Sequence, residues 1–294
     1  VISHKKDTSV ISICDSDQNT GRLICSRKIG KKFDYSPISI TVSPKGTFAY
    51  ITEYSSSDIT VCSIDQNTGD FINCSRHLPL GHGSFPLKIA INPSNTYGYI
   101  IEGQGNYLAS CSINQETGEF SNCKEVTEGI SNYSSNIVID PAGRFAYVTA
   151  FFSGTVSVCA IDGHTGELDC SKIVRNVFQG YTYPSISIDP SGAFLYVTDP
   201  RSDSIKACSI DKQTGDINCN QNATRIPSPI YIEINPKGTF AYVASSYYEP
   251  HHDKEPYYGL DLCNIEQGSG KFNCSSIDPG LTGVMAMAFL RVLN

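Results

Sequence analysis

Short runs in which apolar residues occupy every second position recur along the whole chain. In one of them Ile40 and Val42 alternate with polar residues. A turn resembling Pro-x-Gly follows each run, and a second run then carries an aromatic residue and a tyrosine, as at Phe145 and Tyr147. Alternation with a period of two indicates β-strands with one buried face. No helical period of appreciable length is present, so the pattern predicts an all-β chain.

Two markers divide the chain into six similar units. A proline is followed six residues later by a tyrosine in five of them: Pro44 and Tyr50, Pro93 and Tyr99, Pro141 and Tyr147, Pro190 and Tyr196, and Pro236 and Tyr242. Cysteine pairs mark all six units, and their first members recur every 48, 49, 48, 49 and 55 residues. Four short strands per unit, repeated around an axis, are typical of a β-propeller. The alternative is an all-β sandwich, which six near-equal repeats argue against.

The two ends of the chain complement each other. Residues 283–289 resemble the first strand of a unit without its partners, and residues 1–14 supply later strands of a unit that lacks a first. Pairing them would remove an open sheet edge. We therefore predict a single domain over 1–294, a six-bladed β-propeller with four antiparallel strands per blade. Its last blade is shared by about 1–26 and 283–294.

Each unit holds one cysteine pair across a predicted hairpin. In the second pair the midpoint falls at residue 68, within the turn-forming stretch Asp65–Gly69. Directly opposed strand residues bring Cβ atoms to about 4.5–5.5 Å, near disulfide geometry. Zinc sites use closer cysteine pairs. We therefore predict one disulfide per blade, each of which raises the free energy of unfolding by roughly 3 kcal/mol. The predicted pairs are Cys14 with Cys25, Cys62 with Cys74, Cys111 with Cys123, Cys159 with Cys170, Cys208 with Cys219, and Cys263 with Cys274.

Composition narrows the cellular context and the partners. Twelve cysteines argue for an oxidising compartment. No apolar run approaches the roughly 20 residues of a membrane helix, and the first residues do not show the pattern of a signal peptide. We expect a secreted, extracellular or periplasmic mature chain whose leader has been removed. A net charge of −7 argues against nucleic-acid binding.

Three tripeptides resemble the Tyr-Val-Thr-Asn repeat of lactonase-like β-propeller proteins, the YVTN-repeat family: Tyr50–Thr52, Tyr147–Thr149 and Tyr196–Thr198. The Ile-x-Ile-Asp-Pro-x-Gly pattern before them is similar too. The resemblance covers nearly the whole chain and implies a propeller scaffold. Glu53, Ala150 and Asp199 stand where the family often has Asn, family members usually have seven blades, and no lactonase catalytic residue matches a position here.

Ligands of propellers usually bind at the face formed by the loops between strands two and three and by the loops that enter strand one. The first set of loops contains Glu53, Glu102, Gln104, Phe151, Phe152, Asp199 and Arg201, and the second contains His77, His82, Tyr181 and Tyr183. Carboxylates near a central channel would suit a hard cation such as Ca²⁺. The alternative is that they are solvated loop acids, and we expect no other cofactor.

Glu233 occupies a position, three residues before the proline, where other units have small or apolar residues. An acid on an innermost strand is unfavourable unless it is paired or hydrated. We expect it to line the central channel, where contact with channel water is the alternative to a binding role.

The largest departure from the repeat is an insertion in the fifth unit. Pro236 and Cys263 are 27 residues apart, against 18 in the four preceding units. The insertion is rich in aromatic residues, which are favoured at binding surfaces. Either it serves recognition or self-assembly, or it is a tolerated insertion. Its candidate binding residues are Tyr247, Tyr248, His251, His252, Tyr257 and Tyr258.

Two further motifs have simple interpretations. Of four N-glycosylation sequons, Asn132 and Asn222 are expected in exposed loops between blades. An aspartate three residues after most first cysteines begins a turn, so we expect it to accept backbone hydrogen bonds rather than to bind calcium: Asp17, Asp65, Asp162 and Asp211.

No catalytic set of residues is recognisable, so we expect a non-catalytic interaction or structural module. It would bind a glycan or a protein, or assemble with copies of itself, since a terminal strand can complete a neighbour's blade and a head-to-tail contact can build a filament. The alternative is a lactonase-like hydrolase with a cation in the central channel. Its acid would be Glu53, Glu102, Asp199 or Glu233.

Overall fold

Six four-stranded antiparallel sheets make up the structure, a computed structural model. It describes residues 1–5, 8–29, 37–53, 56–81, 84–103, 107–247, 257–281 and 283–290, with the backbone alone at 4–5, 8–9, 247 and 257–258. The helical content of these residues is one 3₁₀ turn, Pro200–Ser202. Within the described part of the chain, no helix is long and apolar enough to span a membrane.

The strands follow the repeat in order. Blade 1 consists of β4 (Pro37–Val42), β5 (Phe48–Glu53), β6 (Ile59–Ile64) and β7 (Phe71–His77), and blade 2 consists of β8 (Pro86–Ile91), β9 (Tyr97–Glu102), β10 (Leu108–Ile113) and β11 (Phe120–Val126). Blade 3 consists of β12 (Ser134–Ile139), β13 (Phe145–Ala150), β14 (Thr155–Ile161) and β15 (Leu168–Val174), and blade 4 consists of β16 (Ile186–Ile188), β17 (Phe194–Asp199), β18 (Ser204–Ile210) and β19 (Ile217–Arg225). Blade 5 consists of β20 (Pro229–Ile234), β21 (Phe240–Tyr247), β22 (Tyr257–Glu266) and β23 (Lys271–Ile277), and blade 6 consists of β24 (Val284–Ala286), β1 (Ile2–Lys5), β2 (Thr8–Ser16) and β3 (Leu23–Lys28).

Blade 6 joins the two ends of the chain. Its strand order is β24-β1-β2-β3, and Ile2 pairs with Ala286. Each innermost strand contacts the innermost strand of the next blade, and β24 contacts both β4 and β20. The ring is therefore closed, which confirms the predicted six-bladed propeller with a last blade built from both termini.

The hydrophobic core lies between the blades. One cluster joins blades 1 and 2 through Tyr50 and Phe120, whose ring centroids are 5.0 Å apart. Equivalent clusters join the other neighbours, and the largest surrounds the composite blade. The tyrosine of each continuous unit is fully buried: Tyr50, Tyr99, Tyr147, Tyr196 and Tyr242. Burial of such large side chains at every junction is the main source of propeller stability.

All six predicted disulfides are present at the outer hairpins, with Cα atoms 3.9 to 4.1 Å apart. Each bridge links the third strand of a blade to the fourth, so every cysteine prediction is confirmed. The bridges join Cys14 to Cys25, Cys62 to Cys74, Cys111 to Cys123, Cys159 to Cys170, Cys208 to Cys219, and Cys263 to Cys274. Among the described residues no cysteine is free.

The aspartate of the hairpin turn shapes the turn, as the sequence predicted. In the second hairpin Asp65 accepts hydrogen bonds from the backbone N–H groups of Asn67 and Thr68, at 2.9 and 2.8 Å. Those bonds lower the pKa of Asp65. Gly69 closes the turn with a φ of 73°. The carboxylate is therefore used by the backbone of its own hairpin.

The hairpin turns also join neighbouring blades. Gly118, in the turn of blade 2, lies against the Phe48 ring of blade 1 so closely that an added Cβ would be 2.7 Å from a ring carbon. Similar contacts bring Gly166 against Tyr97 and Gly215 against Phe145. The glycine in each of these turns therefore serves both turn geometry and blade packing.

Candidate functional site

The three acids that end second strands are buried, not solvated. Glu53, Glu102 and Asp199 are each 2% exposed or less. Glu102 Oε1 accepts a hydrogen bond from the Phe85 backbone N–H at 2.7 Å, and Asp199 Oδ1 accepts one from the Gln179 N–H at 3.3 Å. Both donors lie in the loop that enters the same blade, so these two acids anchor loops. The expectation of solvated loop acids is wrong at these positions.

Glu53 is held differently. Its Oε1 accepts a hydrogen bond from the Thr60 hydroxyl at 3.0 Å, and the Arg76 guanidinium lies 3.4 Å from both carboxylate oxygens. Arg76 also lies 3.6 Å from Asp58. A buried carboxylate of this kind needs such a partner. Across the described residues, no group of three or more His, Cys, Asp or Glu side chains is arranged to hold a metal ion.

Five aromatic side chains meet on the loop face of blades 3 and 4 and form what we call the aromatic cluster: Tyr133, Phe151, Phe152, Tyr181 and Tyr183. The Phe152 ring centroid lies 4.5 Å from that of Tyr133, 4.6 Å from Phe151 and 5.3 Å from Tyr181, all edge-to-face. The rings of Phe151 and Tyr183 are 4.2 Å apart. Edge-to-face geometry is the favoured contact between aromatic rings.

Backbone contacts fix the three loops that carry the aromatic cluster. The Phe151 N–H donates to the Tyr133 carbonyl at 2.9 Å, and the Tyr181 N–H donates to the Phe151 carbonyl at 2.7 Å. Gly180 lies so close that an added Cβ would be 2.2 Å from the Phe152 carbonyl oxygen. Tyr133 and Tyr181 have φ angles of 60° and 65°. A bulky residue in the left-handed region of backbone conformation is unusual, and such residues tend to occur at functional sites.

The outer faces of the aromatic cluster are open to solvent. Tyr181 is 68% exposed, Tyr183 65%, Tyr133 44% and Phe152 41%. They are four of the seven large hydrophobic side chains that are exposed in the described chain. The exposed Arg201 borders them and donates to the Gly180 carbonyl at 3.3 Å. Sequence reasoning missed Tyr133, because only the fold brings its loop beside Phe152.

The central channel contains a cavity of about 300 Å³ that reaches the turns after the innermost strands. Glu233 lines it from blade 5 and Lys88 from blade 2, which faces blade 5 in a ring of six. Lys88 Nζ lies 5.7 Å from the ring centroid of Tyr231. Sequence reasoning missed Lys88, although it stands five residues before its proline, where other units have Ser39, Asn136, Ser185 and Tyr231.

The remaining predicted residues are dispersed. His77 Nε2 lies 2.6 Å from the Phe120 carbonyl at the junction of blades 1 and 2. Asn132 is exposed in the loop before β12, as predicted. Asn222 does not lie in a loop: it belongs to β19, is exposed, and accepts a hydrogen bond from Lys206 at 2.9 Å. The outer strand of blade 4 simply continues through it.

The insertion in blade 5 begins as a longer hairpin, with Tyr247 paired to Tyr257 and Ser246 to Tyr258. Tyr248, His251 and His252 lie outside the described residues, as do the side chains of Tyr247, Tyr257 and Tyr258. The loop residues His82 and Gln104 lie outside them too.

A family model described as "Lactonase, 7-bladed beta-propeller" matches residues 39–234. Among solved structures, the chain resembles a candidate 6-phosphogluconolactonase from Bacteroides fragilis (TM-score 0.68, 19% identity, 97% of this chain and 82% of that one). It also resembles the periplasmic gluconolactonase of Pseudomonas aeruginosa (TM-score 0.63, 18% identity, 92% of this chain and 76% of that one). A third similar structure is a chain of a nidogen–laminin complex (TM-score 0.66, 11% identity, 99% of this chain and 97% of that one). At these identities the likeness shows the fold. No curated protein sequence matches the chain.

Proposed function

The chain belongs to the lactonase family of β-propeller proteins, and we propose that it uses this scaffold as a non-catalytic carbohydrate-binding module. The observation that carries the proposal is the aromatic cluster, in which solvent-exposed rings are held by backbone hydrogen bonds. Binding sites are disproportionately placed on loops that a rigid scaffold positions. A module stapled by six disulfides also suits an oxidising environment outside the cytoplasm, so we propose that the protein is secreted.

Carbohydrate is the ligand class that best complements this surface. A sugar ring has an apolar face of C–H groups and a rim of hydroxyls. Tyr181 and Tyr183 offer aromatic faces with hydroxyl groups at the edge, at low cost in side-chain entropy. Arg201 adds hydrogen-bond donors beside them. With charged residues at only 17% of the chain, a neutral glycan fits better than a strongly charged partner.

Glycan-array screening of the intact disulfide-bonded protein tests the proposal, followed by calorimetry on the best binders. We expect the double variant with Tyr181→Ala and Tyr183→Ala to lose at least about tenfold in affinity, since each ring contributes about 1 kcal/mol. The matched control combines Ile24→Ala and Ile72→Ala, which also removes exposed apolar side chains, on the outer strands of blades 6 and 1. An array without binders, or equal affinity for both double variants, would refute a carbohydrate site at this surface.

Self-assembly can be distinguished from carbohydrate binding with the same purified protein. Strand β24 is paired within its own chain, so donation of a terminal strand would first have to break that pairing. Light scattering at rising protein concentration separates the two behaviours. A module that binds carbohydrate as a single chain stays monodisperse, whereas strand exchange produces growing particles.

A lactonase-like hydrolase is the second candidate, because the chain belongs to that family and one of the candidate acids, Glu233, lines the channel cavity. The other proposed acids anchor loops or pair with Arg76. A lactone-hydrolysis screen with metal analysis of the purified protein tests this candidate. Turnover that disappears in Glu233→Gln would favour it over the binding module.

A further inference from the structure

Lys88 lines the channel cavity together with Glu233, and the two groups form no salt bridge. Lys88 is half-buried on β8, and the described residues offer its ammonium group no ion pair and no hydrogen bond. Its one polar contact is with the face of Tyr231 at 5.7 Å, a distance at which a cation and an aromatic ring attract each other. Burial lowers the pKa of Lys88 below the ordinary lysine value, and the charge of Glu233 acts in the opposite direction. A half-buried cation of this kind is unfavourable unless something negative joins it.

Glu233 competes with a backbone carbonyl for the proton of the Tyr231 hydroxyl. The Tyr231 hydroxyl has one proton and two acceptors, the Met287 carbonyl at 2.6 Å and Glu233 Oε2 at 3.1 Å. When the hydroxyl donates to the nearer carbonyl, the second contact becomes a hydrogen bond only if Glu233 carries a proton and donates it. The pair then satisfies both groups in a site that disfavours charge.

The surroundings of Glu233 support a neutral acid. Burial raises its pKa to about 7, with Lys88 and the Tyr231 hydroxyl acting in the opposite direction. Asp189 is the other described acid that lines the cavity, and it accepts a hydrogen bond from the Ala193 backbone N–H at 2.9 Å and one from Ser191. Among the described residues of the cavity wall Lys88 is the one cation, and the Asp189 carboxylate is occupied by hydrogen-bond donors of its own turn. The uncharged polar side chains of the wall are Thr41, Ser187 and Asn235.

We propose that the channel cavity between Lys88 and Glu233 is a binding site for a small organic carboxylate. The carboxylate would form an ion pair with Lys88 and accept a hydrogen bond from protonated Glu233 or Tyr231. The cavity of about 300 Å³ holds a molecule of a few carbon atoms, and most of the side chains around it are aliphatic. This site is separate from the aromatic cluster and does not depend on carbohydrate binding.

The protonation state of Glu233 makes the site respond to pH. When Glu233 ionises, it neutralises Lys88 and repels the ligand. With a pKa of about 7, the binding-competent fraction falls about tenfold between pH 6 and pH 8, and the apparent affinity falls with it.

Butyrate, titrated calorimetrically into the full chain at pH 6 and pH 8 with ionic strength held constant by NaCl, is the direct probe. We expect wild-type protein to bind butyrate about tenfold more tightly at pH 6. Glu233→Gln keeps a neutral hydrogen-bonding group, so this variant should bind equally well at both pH values. Lys88→Met keeps the length of the side chain and removes its charge, so binding should be lost at both.

Lys206→Met, on the outer part of blade 4, is the matched control and should behave as wild type. Far-ultraviolet circular dichroism confirms that each variant is folded. Equal wild-type affinity at the two pH values, a pH dependence that survives in Glu233→Gln, or butyrate binding that survives in Lys88→Met would each overturn the proposal.

Discussion

Asp65, at the outer edge of the propeller, accepts two backbone hydrogen bonds at a tight turn, whereas Glu233, in the central channel, competes with a carbonyl for one tyrosine proton. Their surroundings shift the pKa values of the two carboxyl groups in opposite directions. Donors lower the pKa of Asp65, and burial raises the pKa of Glu233 to about 7. The same functional group is thus a turn element in one region and a titrating group near neutral pH in the other.

The difference between these two carboxyl groups follows from how many blades repeat each feature. The turn carries an aspartate or asparagine in five of the six blades, because each blade must close the same hairpin: Asp17, Asp65, Asn114, Asp162 and Asp211. Glu233 and Lys88 each occur once among the channel positions. Features that recur in every blade serve the scaffold, and charges that occur once in the channel are where ligand chemistry is expected.

Removal of one edge disulfide should give the largest effect on stability. For the double variant with Cys159→Ala and Cys170→Ala, we expect the free energy of unfolding to fall by about 3 kcal/mol, because the bridge closes a short loop in the unfolded chain. Chemical denaturation measures the change. Fully reduced wild-type protein should lose much more, since six bridges open. A loss below about 1 kcal/mol would show that the edge is held by blade packing instead.

Glu102→Ala should have the next largest effect, because it leaves the Phe85 N–H without its acceptor in a partly buried site. We expect a loss of about 2 kcal/mol in the free energy of unfolding, and a smaller loss for Glu102→Gln, which keeps an acceptor oxygen. Thermal or chemical denaturation of both variants compares them. Equal losses would contradict the loop-anchoring role and favour a role for the negative charge.

Glu233→Gln should change how stability depends on pH. A carboxyl group whose pKa is raised in the folded state stabilises that state below its unfolded pKa, and this contribution is lost as pH rises through about 7. The wild type should therefore weaken between about pH 4.5 and pH 7, and the variant should not. At pH 8 we expect the variant to be more stable by up to about 2 kcal/mol, allowing for partial solvent screening. Unfolding curves at pH 5 and pH 8 measure this.

An exposed acid gives the matched comparison for that variant. Glu116→Gln changes a solvent-exposed side chain at the outer edge and should leave the pH dependence of stability as it is in the wild type. If both variants altered the pH dependence equally, the effect would come from net charge rather than from the channel.

The smallest effect is expected at the surface ion pair between Lys172 and Asp216, which links blades 3 and 4 at 2.6 Å. Both side chains are exposed, so water and salt screen their attraction. We expect Lys172→Met to leave the denaturation midpoint unchanged within error, in low salt and in 1 M NaCl alike. A clear salt-dependent loss would show that charges between blades contribute to the scaffold after all.

Several features of the channel and the loop face lay beyond sequence reasoning. The position of Glu233 on an innermost strand was predicted from its place in the repeat, and its partner Tyr231 stands two residues earlier on the same face of β20. The opposing Lys88 depends on the closed ring. Glu53, Glu102 and Asp199 were predicted at loop entrances, yet their burial depends on how each loop folds over its strand. Asn222 was expected in a loop and lies in β19, because strand ends are set by pairing rather than by local composition.

The sequence by itself determined the blade repeat, the disulfide pairs, the turn chemistry of residues such as Asp65 and the composite last blade. These depend on contacts between residues 11 or 12 positions apart, or on a pattern that repeats six times. Only the tertiary structure decided that Tyr133, Phe152 and Tyr181 form one cluster and that Lys88 faces Tyr231 across the channel. Such contacts join different loops or different blades, and their geometry follows from the packing and closure of the whole ring, which no local pattern encodes.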